Sequence, residues 1–157
     1  MESYFGKDTK RINHALRVTA YAERLIIREG GEYVVVIGAA VLHDIGIHEA
    51  ERKYHSTNGK YQEKEGPPIA RGILTRLGFA EDNIKEICDI IAHHHSPGKI
   101  NTVNFKVLYD ADWLVNLADE YDVQDKNKLA SIIEAVFLTT SGRSIAREIF
   151  LPDQTTA

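Results

Sequence analysis

The chain has 157 residues, 43% apolar and 27% charged, with 19 lysines and arginines against 23 aspartates and glutamates, a net charge of −4. That length suits one domain with its own core, and the charge speaks against a protein that coats nucleic acid in bulk. Eleven glycines, four prolines and a single cysteine exclude collagen-like, disulfide-scaffold and disordered classes.

Residues 1–7 lack the basic-then-apolar order of a signal peptide and are expected to be loose, as is the tail after Leu151. The first helix carries Ile12, Leu16, Thr19, Ala22, Leu25 and Ile26 at steps of three and four. Asp8 or Thr9 caps it, and Gly30 and Gly31 end it. Residues 34–43 are apolar on all sides and read as a central helix, because Gly38-Ala39-Ala40 suits close helix packing. The longest apolar run, 33–42, is too short for the roughly 20 residues that span a bilayer, so a cytoplasmic protein without membrane contact is expected.

Residues 45–65 hold most of the irregular polar sequence. Pro67 and Pro68 are expected to open a helix that runs to Leu77. Glu81 or Asp82 starts the next, which carries Ile84, Ile87, Cys88 and Ile91 and ends near His93-His94-His95. Cys88 reads as a small buried hydrophobe, compatible with a reducing compartment. Helices are expected at 105–118, 128–138 and 145–150, with 139–142 as a break. Together these predict one all-α domain over 1–157, its core at about 8–120 and its C-terminal helices at 128–151.

The chemistry-bearing residues are ambiguous one by one. Asp44, after His43 at the end of the most apolar helix, reads first as a solvated or arginine-paired helix end. His14 reads first as a satisfied core histidine. The triple histidine reads as a polar helix end that favours the dipole. Asp110 and Asp112 lie in an apolar helical run, and residues two apart face different ways, so one must point inward or sideways.

Their order along the chain changes the reading. The pieces are His14-Ala-Leu-Arg17-Val18, Ala39-Ala-Val-Leu-His43-Asp44-Ile-Gly46, Glu65-Gly66-Pro-Pro-Ile-Ala70-Arg71-Gly-Ile-Leu74, Ile90-Ile-Ala-His93-His-His95 and Val107-Leu-Tyr-Asp-Ala-Asp112-Trp-Leu114. In this order they resemble the HD superfamily of metal-dependent phosphohydrolases, from about Arg11 to Asn116. The resemblance implies an all-α helical bundle with a core metal site at His14, His43, Asp44 and a late aspartate. The family's alanine-aspartate-any-leucine pattern matches Ala111-Asp112-Trp113-Leu114, which selects Asp112 and leaves Asp110 a supporting or structural part. Two imidazoles and two carboxylates suit manganese, iron, cobalt, nickel or zinc.

Some branches of the superfamily hold a second ion. His94 and His95 match part of that pattern, but its further histidine is missing. Gln62 stands four residues before Gly66, with Glu63 and Glu65 close by, and a glutamate such as Glu65 is a candidate replacement. The lysine that some relatives carry after the doublet is Ile47 here. One or two ions are therefore expected. The implied reaction is hydrolysis of a nucleotide or other small phosphorylated metabolite. Asp44 would orient water, and His94 or a basic residue such as Arg17 or Arg71 would stabilise charge. His48 and His55 are further acid-base candidates. A di-iron oxygenase and a non-catalytic, metal-stabilised sensing module remain open beside it. The sequence sets no oligomeric state.

Overall fold

The computed structural model describes residues 1–152. Among them the chain forms nine helical segments and no strand: α1 Glu2–Phe5, α2 Thr9–Glu29, α3 Tyr33–Leu42, α4 Ile47–Tyr54, α5 Gly59–Arg76, α6 Glu81–Ile91, α7 Val103–Glu120, α8 Lys126–Val136 and α9 Thr140–Phe150. The first turn is ordered rather than loose, because Phe5 is buried in the core. The tail beyond Pro152 lies outside the described residues.

Local signals set the bounds of α2. The Asp8 side chain accepts from the Arg11 amide at its start, and Gly30 ends it at φ 81°. Its buried stripe is Ala15, Val18, Ala22 and Leu25. Leu16, expected on that stripe, is 49% exposed. The stripe is turned by about one residue, because α2 packs mainly against α7 and α3 and small side chains at 15 and 22 admit both.

Helix α3 sits at the centre, with Val35, Val36, Ala39 and Ala40 fully buried. Gly38 lets α6 approach so closely that a Cβ there would lie 2.7 Å from Ile87 Cδ1. The stretch Tyr33–Tyr54 has the length and apolarity of a membrane span, but it is two helices, α3 and α4, parted by the turn that carries His43 and Asp44.

The polar stretch at 45–65 is largely helical, contrary to expectation. Helix α4 is short and buries only Ala50, so its Ile47, Ala50 and Tyr54 spacing is too brief to stand out in the sequence. Helix α5 starts at the Asn58 cap and runs through Pro67 and Pro68, which are interior rather than opening residues. The prolines deprive the carbonyls of Glu63 and Lys64 of their helical donors. Packing outweighs that loss. A Cβ at Gly46 would lie 2.5 Å from Gly66 N, so α4 and α5 cross at two glycines. Gly66 also has no Cβ to clash with the Pro67 ring.

Helix α7 is buried along most of its length, from Asn104 to Leu117. Helix α9 begins at Thr140, earlier than expected, because Thr139 caps it by accepting from Gly142 N at 2.9 Å. Cys88 is half-buried and unbridged; burial pushes its thiol up, and its Sγ lies 3.5 Å from the Pro67 carbonyl.

Candidate metal centre

Two helix ends and two helix faces meet at one place. His14 comes from α2 and Asp112 from α7. His43 and Asp44 follow α3, and His94 and His95 follow α6.

Two of the imidazoles are oriented by the same local device. His43 Nδ1 donates to the Ala40 carbonyl at 2.9 Å, and His94 Nδ1 donates to the Ile91 carbonyl at 2.7 Å. Each thereby satisfies a carbonyl left over at a helix C-terminus. Each also turns Nε2 toward the centre, the atom an ion would take once it displaced any proton there.

His14 Nε2 lies 3.2 Å from His43 Nε2 and 3.1 Å from Asp112 Oδ1, with 3.5 Å between the last two. Asp44 Oδ2 faces the same group, 3.6 Å from His14 Nε2 and 3.5 Å from His43 Nε2. Its other oxygen, Oδ1, is 3.6 Å from His94 Nε2. The donor atoms of His14, His43 and Asp112 form one cluster and those of Asp44, His94 and His95 another. The two oxygens of Asp44 thus face different clusters.

These separations match an ion's first shell. Ligand bonds of about 2.0–2.2 Å place neighbouring donor atoms roughly 3.0–3.5 Å apart in octahedral or tetrahedral arrangement. His94 Nε2 is buried and has no hydrogen-bond partner, as expected of an atom that awaits a cation. The charges agree. Burial opposes charge on the His43 imidazole, yet the carboxylates of Asp44 and Asp112 outweigh it and raise its pKa to about 9. Burial would raise both carboxylates, yet His43 and His94 hold Asp44, and His14 and His43 hold Asp112, well below the usual range. The residues fit a divalent ion at either cluster.

A family model for the HD domain matches residues 11–135. The chain belongs to the HD domain family. A crystal structure of a predicted HD superfamily hydrolase from an uncultured Thermotogales bacterium is similar to it, with a TM-score of 0.69 and 26% identity over 94% of this chain and 79% of that one. No protein of curated function matches the sequence.

Asp44 of the HD doublet lines a cavity of about 440 Å³ together with His14, Asp112 and His95, while His43 is buried behind it. Its walls add Asp8, Lys10 and Arg11 on one side, Thr57 and Gln62 on another, and Asn116 and Asp119 on α7. A second cavity of about 250 Å³ reaches His94, His95 and Asp112 past Tyr109 and Trp113.

Several expected residues stand elsewhere. Glu65 does not join either cluster: Lys53 Nζ donates to one of its oxygens at 2.6 Å and Tyr54 Oη to the other at 2.8 Å. Glu63 accepts from His95 N and Ser96 Oγ, both at 3.0 Å, and so holds the histidine segment rather than an ion. Arg17 is exposed and does not line the cavity, and Arg71 pairs with Glu81 at the surface. Lys10 and Arg11 line it instead. They precede His14 by four and three residues, a spacing that puts them on its helix face. Arg11 is held by Asp8 and by Glu51 at 2.7 Å. Asn116 and Asp119 follow Asp112 on one face of α7, and Asn116 Nδ2 donates to Asp112 Oδ1 at 2.8 Å. Asp110 is fully buried and accepts from Leu138 N, Thr139 N and Thr139 Oγ1 at 2.6–2.8 Å, pointing away from the clusters. His48 pairs with Asp8 at 3.0 Å, and His55 ends α4 at φ 51°. His93 donates to the Asp89 carbonyl at 2.9 Å and joins neither cluster.

Proposed function

We propose that the protein is a metal-dependent phosphohydrolase acting on a nucleotide or another small phosphorylated metabolite. The observation that carries this reading is the pair of donor clusters joined by Asp44, set at the floor of a cavity whose rim supplies Lys10 and Arg11. The HD family membership and the hydrolase description of the Thermotogales relative support it.

His14, His43, Asp44 and Asp112 would hold a first ion, and His94, His95 and the second oxygen of Asp44 a second. The suitable ions are manganese, iron, cobalt, nickel or zinc. A bound ion would acidify a water and neutralise phosphoryl charge. The chain's own groups do the rest. Lys10 has no ion-pair partner among the described residues and binds a phosphate oxygen at the rim. Asn116 fixes the Asp112 carboxylate by its hydrogen bond. The Nδ1 contacts of His43 and His94 would leave Nε2 of each ring as the atom offered to an ion. The unbridged Cys88 suits a reducing compartment such as the cytoplasm.

The test is metal analysis of protein purified without chelator, paired with phosphate release from nucleotides, sugar phosphates and dinucleotides as each metal is added back. Metal-dependent phosphate release that disappears in Asp44→Asn is the expected result. Oxygen uptake with ferrous iron and no phosphate release would replace the proposal with an oxygenase. Metal retention without turnover would reduce it to a binding module.

A further inference from the structure

Helix α5 packs on the segment that carries His95, and Gln62 stands on that helix between Gly59 and Glu63. Its side chain is buried, with 6% of the residue exposed. Nε2 donates to the Thr57 carbonyl at 2.7 Å, which settles the other end as oxygen. That oxygen, Oε1, is buried and has no hydrogen-bond partner. A buried amide oxygen left unpaired is costly, so a group that meets it is expected.

Three contacts of α5 fix where Gln62 sits. Gly59, one turn earlier on the same face, lies under the His95 ring, so that a Cβ there would be 2.7 Å from His95 Cδ2. Glu63, the next residue, accepts from the backbone of His95. The Gln62 carbonyl would be 2.6 Å from a Cβ on Gly46, two residues beyond Asp44. Gln62 is therefore wedged between the turn that carries Asp44 and the segment that carries His95. It lines the same cavity as both.

His94 Nε2, in the second cluster, and Gln62 Oε1, on a residue that lines the cavity with Asp44 and His95, are both buried without a hydrogen-bond partner. With the Asp44 carboxylate they make a set of lone pairs and no proton donor, a composition that suits a cation. We infer that Gln62 Oε1 is a ligand of the second ion position, an amide oxygen where an imidazole or carboxylate would otherwise serve. The inference rests on the two-ion reading above.

An amide ligand makes the two positions unequal. The first has Asp112 to itself and shares Asp44. The second has only the shared carboxylate as an anionic donor; its other donors are neutral. The second ion therefore binds more weakly, and the added oxygen favours manganese over softer ions.

The experiment is titration of the chelator-stripped full chain with Mn²⁺, with free Mn²⁺ followed by electron paramagnetic resonance. The wild type is expected to bind two ions, the second more weakly. Gln62→Ala is expected to weaken the second ion by about tenfold or more, since even partners outside a metal's first shell carry roughly 10–100-fold in affinity, and to leave the first unchanged. Gln62→His exchanges oxygen for nitrogen. It is expected to raise the Ni²⁺-to-Mn²⁺ affinity ratio at the second position by about tenfold or more, with no change at the first. A wild type that stops at one ion overturns the two-ion reading and the inference together. A wild type with two ions and a Gln62→Ala variant with the same two affinities overturns the inference alone, leaving Oε1 to a water. Should Gln62→Ala fail to fold, an unchanged metal ratio in Gln62→His overturns it.

Discussion

Asp110 and Asp112 are two residues apart on one helix, and Asp110→Asn tests whether their roles divide as the geometry says. Asp110 Oδ1 accepts from Leu138 N at 2.8 Å, and Oδ2 accepts from Thr139 N at 2.8 Å and Thr139 Oγ1 at 2.6 Å. All three of its hydrogen-bond partners are donors. An asparagine offers one acceptor and one donor. Its best orientation gives the oxygen to Thr139 and turns the amide NH₂ against the Leu138 N–H. Gly142 prevents relief by movement, since even a Cβ there would lie 2.2 Å from Oδ2. The variant loses one charge-assisted hydrogen bond and buries an unpaired N–H, together about 2–4 kcal/mol. For a chain of this length that lowers the melting temperature by about 4–16 °C. Thermal unfolding followed by circular dichroism reads the shift, and elemental analysis of the same sample reads metal. Asp110→Asn is expected to melt early and keep its metal; Asp112→Asn is expected to lose metal. An Asp110→Asn protein of unaltered stability that has lost its metal would refute the division.

Asp44→Asn leaves a single acceptor for two clusters, so elemental analysis is expected to show at most one ion per chain; unchanged content would deny the bridging role. Gly46→Ala places a Cβ 2.5 Å from Gly66 N and 2.6 Å from Gln62 O, both backbone. Helices α4 and α5 must part to admit it, which costs about 1–3 kcal/mol, and a calorimetric melting temperature equal to wild type would show the crossing to be loose. Hydrogen bonds from His48 and Arg11 hold the Asp8 carboxyl down to about 2, against an ordinary 3.8. Because the folded value is the lower one, its contribution is full above about pH 4 and lost as pH falls through about 2. The stability difference between wild type and Asp8→Asn, measured by denaturant unfolding from pH 5 downward, should therefore shrink over that window; a constant difference would contradict the pairing.

What the sequence showed and what it hid follow from the range of the forces involved. The bounds of α2 were legible because Asp8 and Gly30 act on their own neighbours. The all-round apolar character of α3 was legible because burial on every side leaves a mark at every position. Helix α4 was not, since eight residues with three spaced apolar positions make too short a period to read. The start of α5 was misplaced because the first-turn preference of proline is a local rule, and the contact that overrules it, Gly46 on Gly66, joins residues far apart in the chain. The same holds for the site. Histidines and aspartates that gather at the centre differ in type from their surroundings and stand out in order. A carboxylate beside a cleft looks the same whether it faces an ion or Lys53 and Tyr54, so Glu65 was misread. Lys10, Arg11 and Arg17 are all within one turn of His14, and only the approach of α7 and α4 decides which side of α2 becomes the cavity wall.

The knot around Asp110 also bears on how the chain comes off the ribosome. Its donors are 28 and 29 residues downstream, and Ser141 N reaches back 112 residues to Glu29 Oε1. At synthesis rates of about 5–20 residues per second, the Asp110 carboxylate exists for roughly 1.5–6 s before Thr139 is even made. Until those donors are in place the Asp110 carboxylate lacks the hydrogen bonds that let it be buried, so the final seating of α7 in the bundle depends on them. Closure of the bundle is then a late event, timed by the arrival of Thr139 to Gly142 rather than by the completion of the helices that carry the histidines.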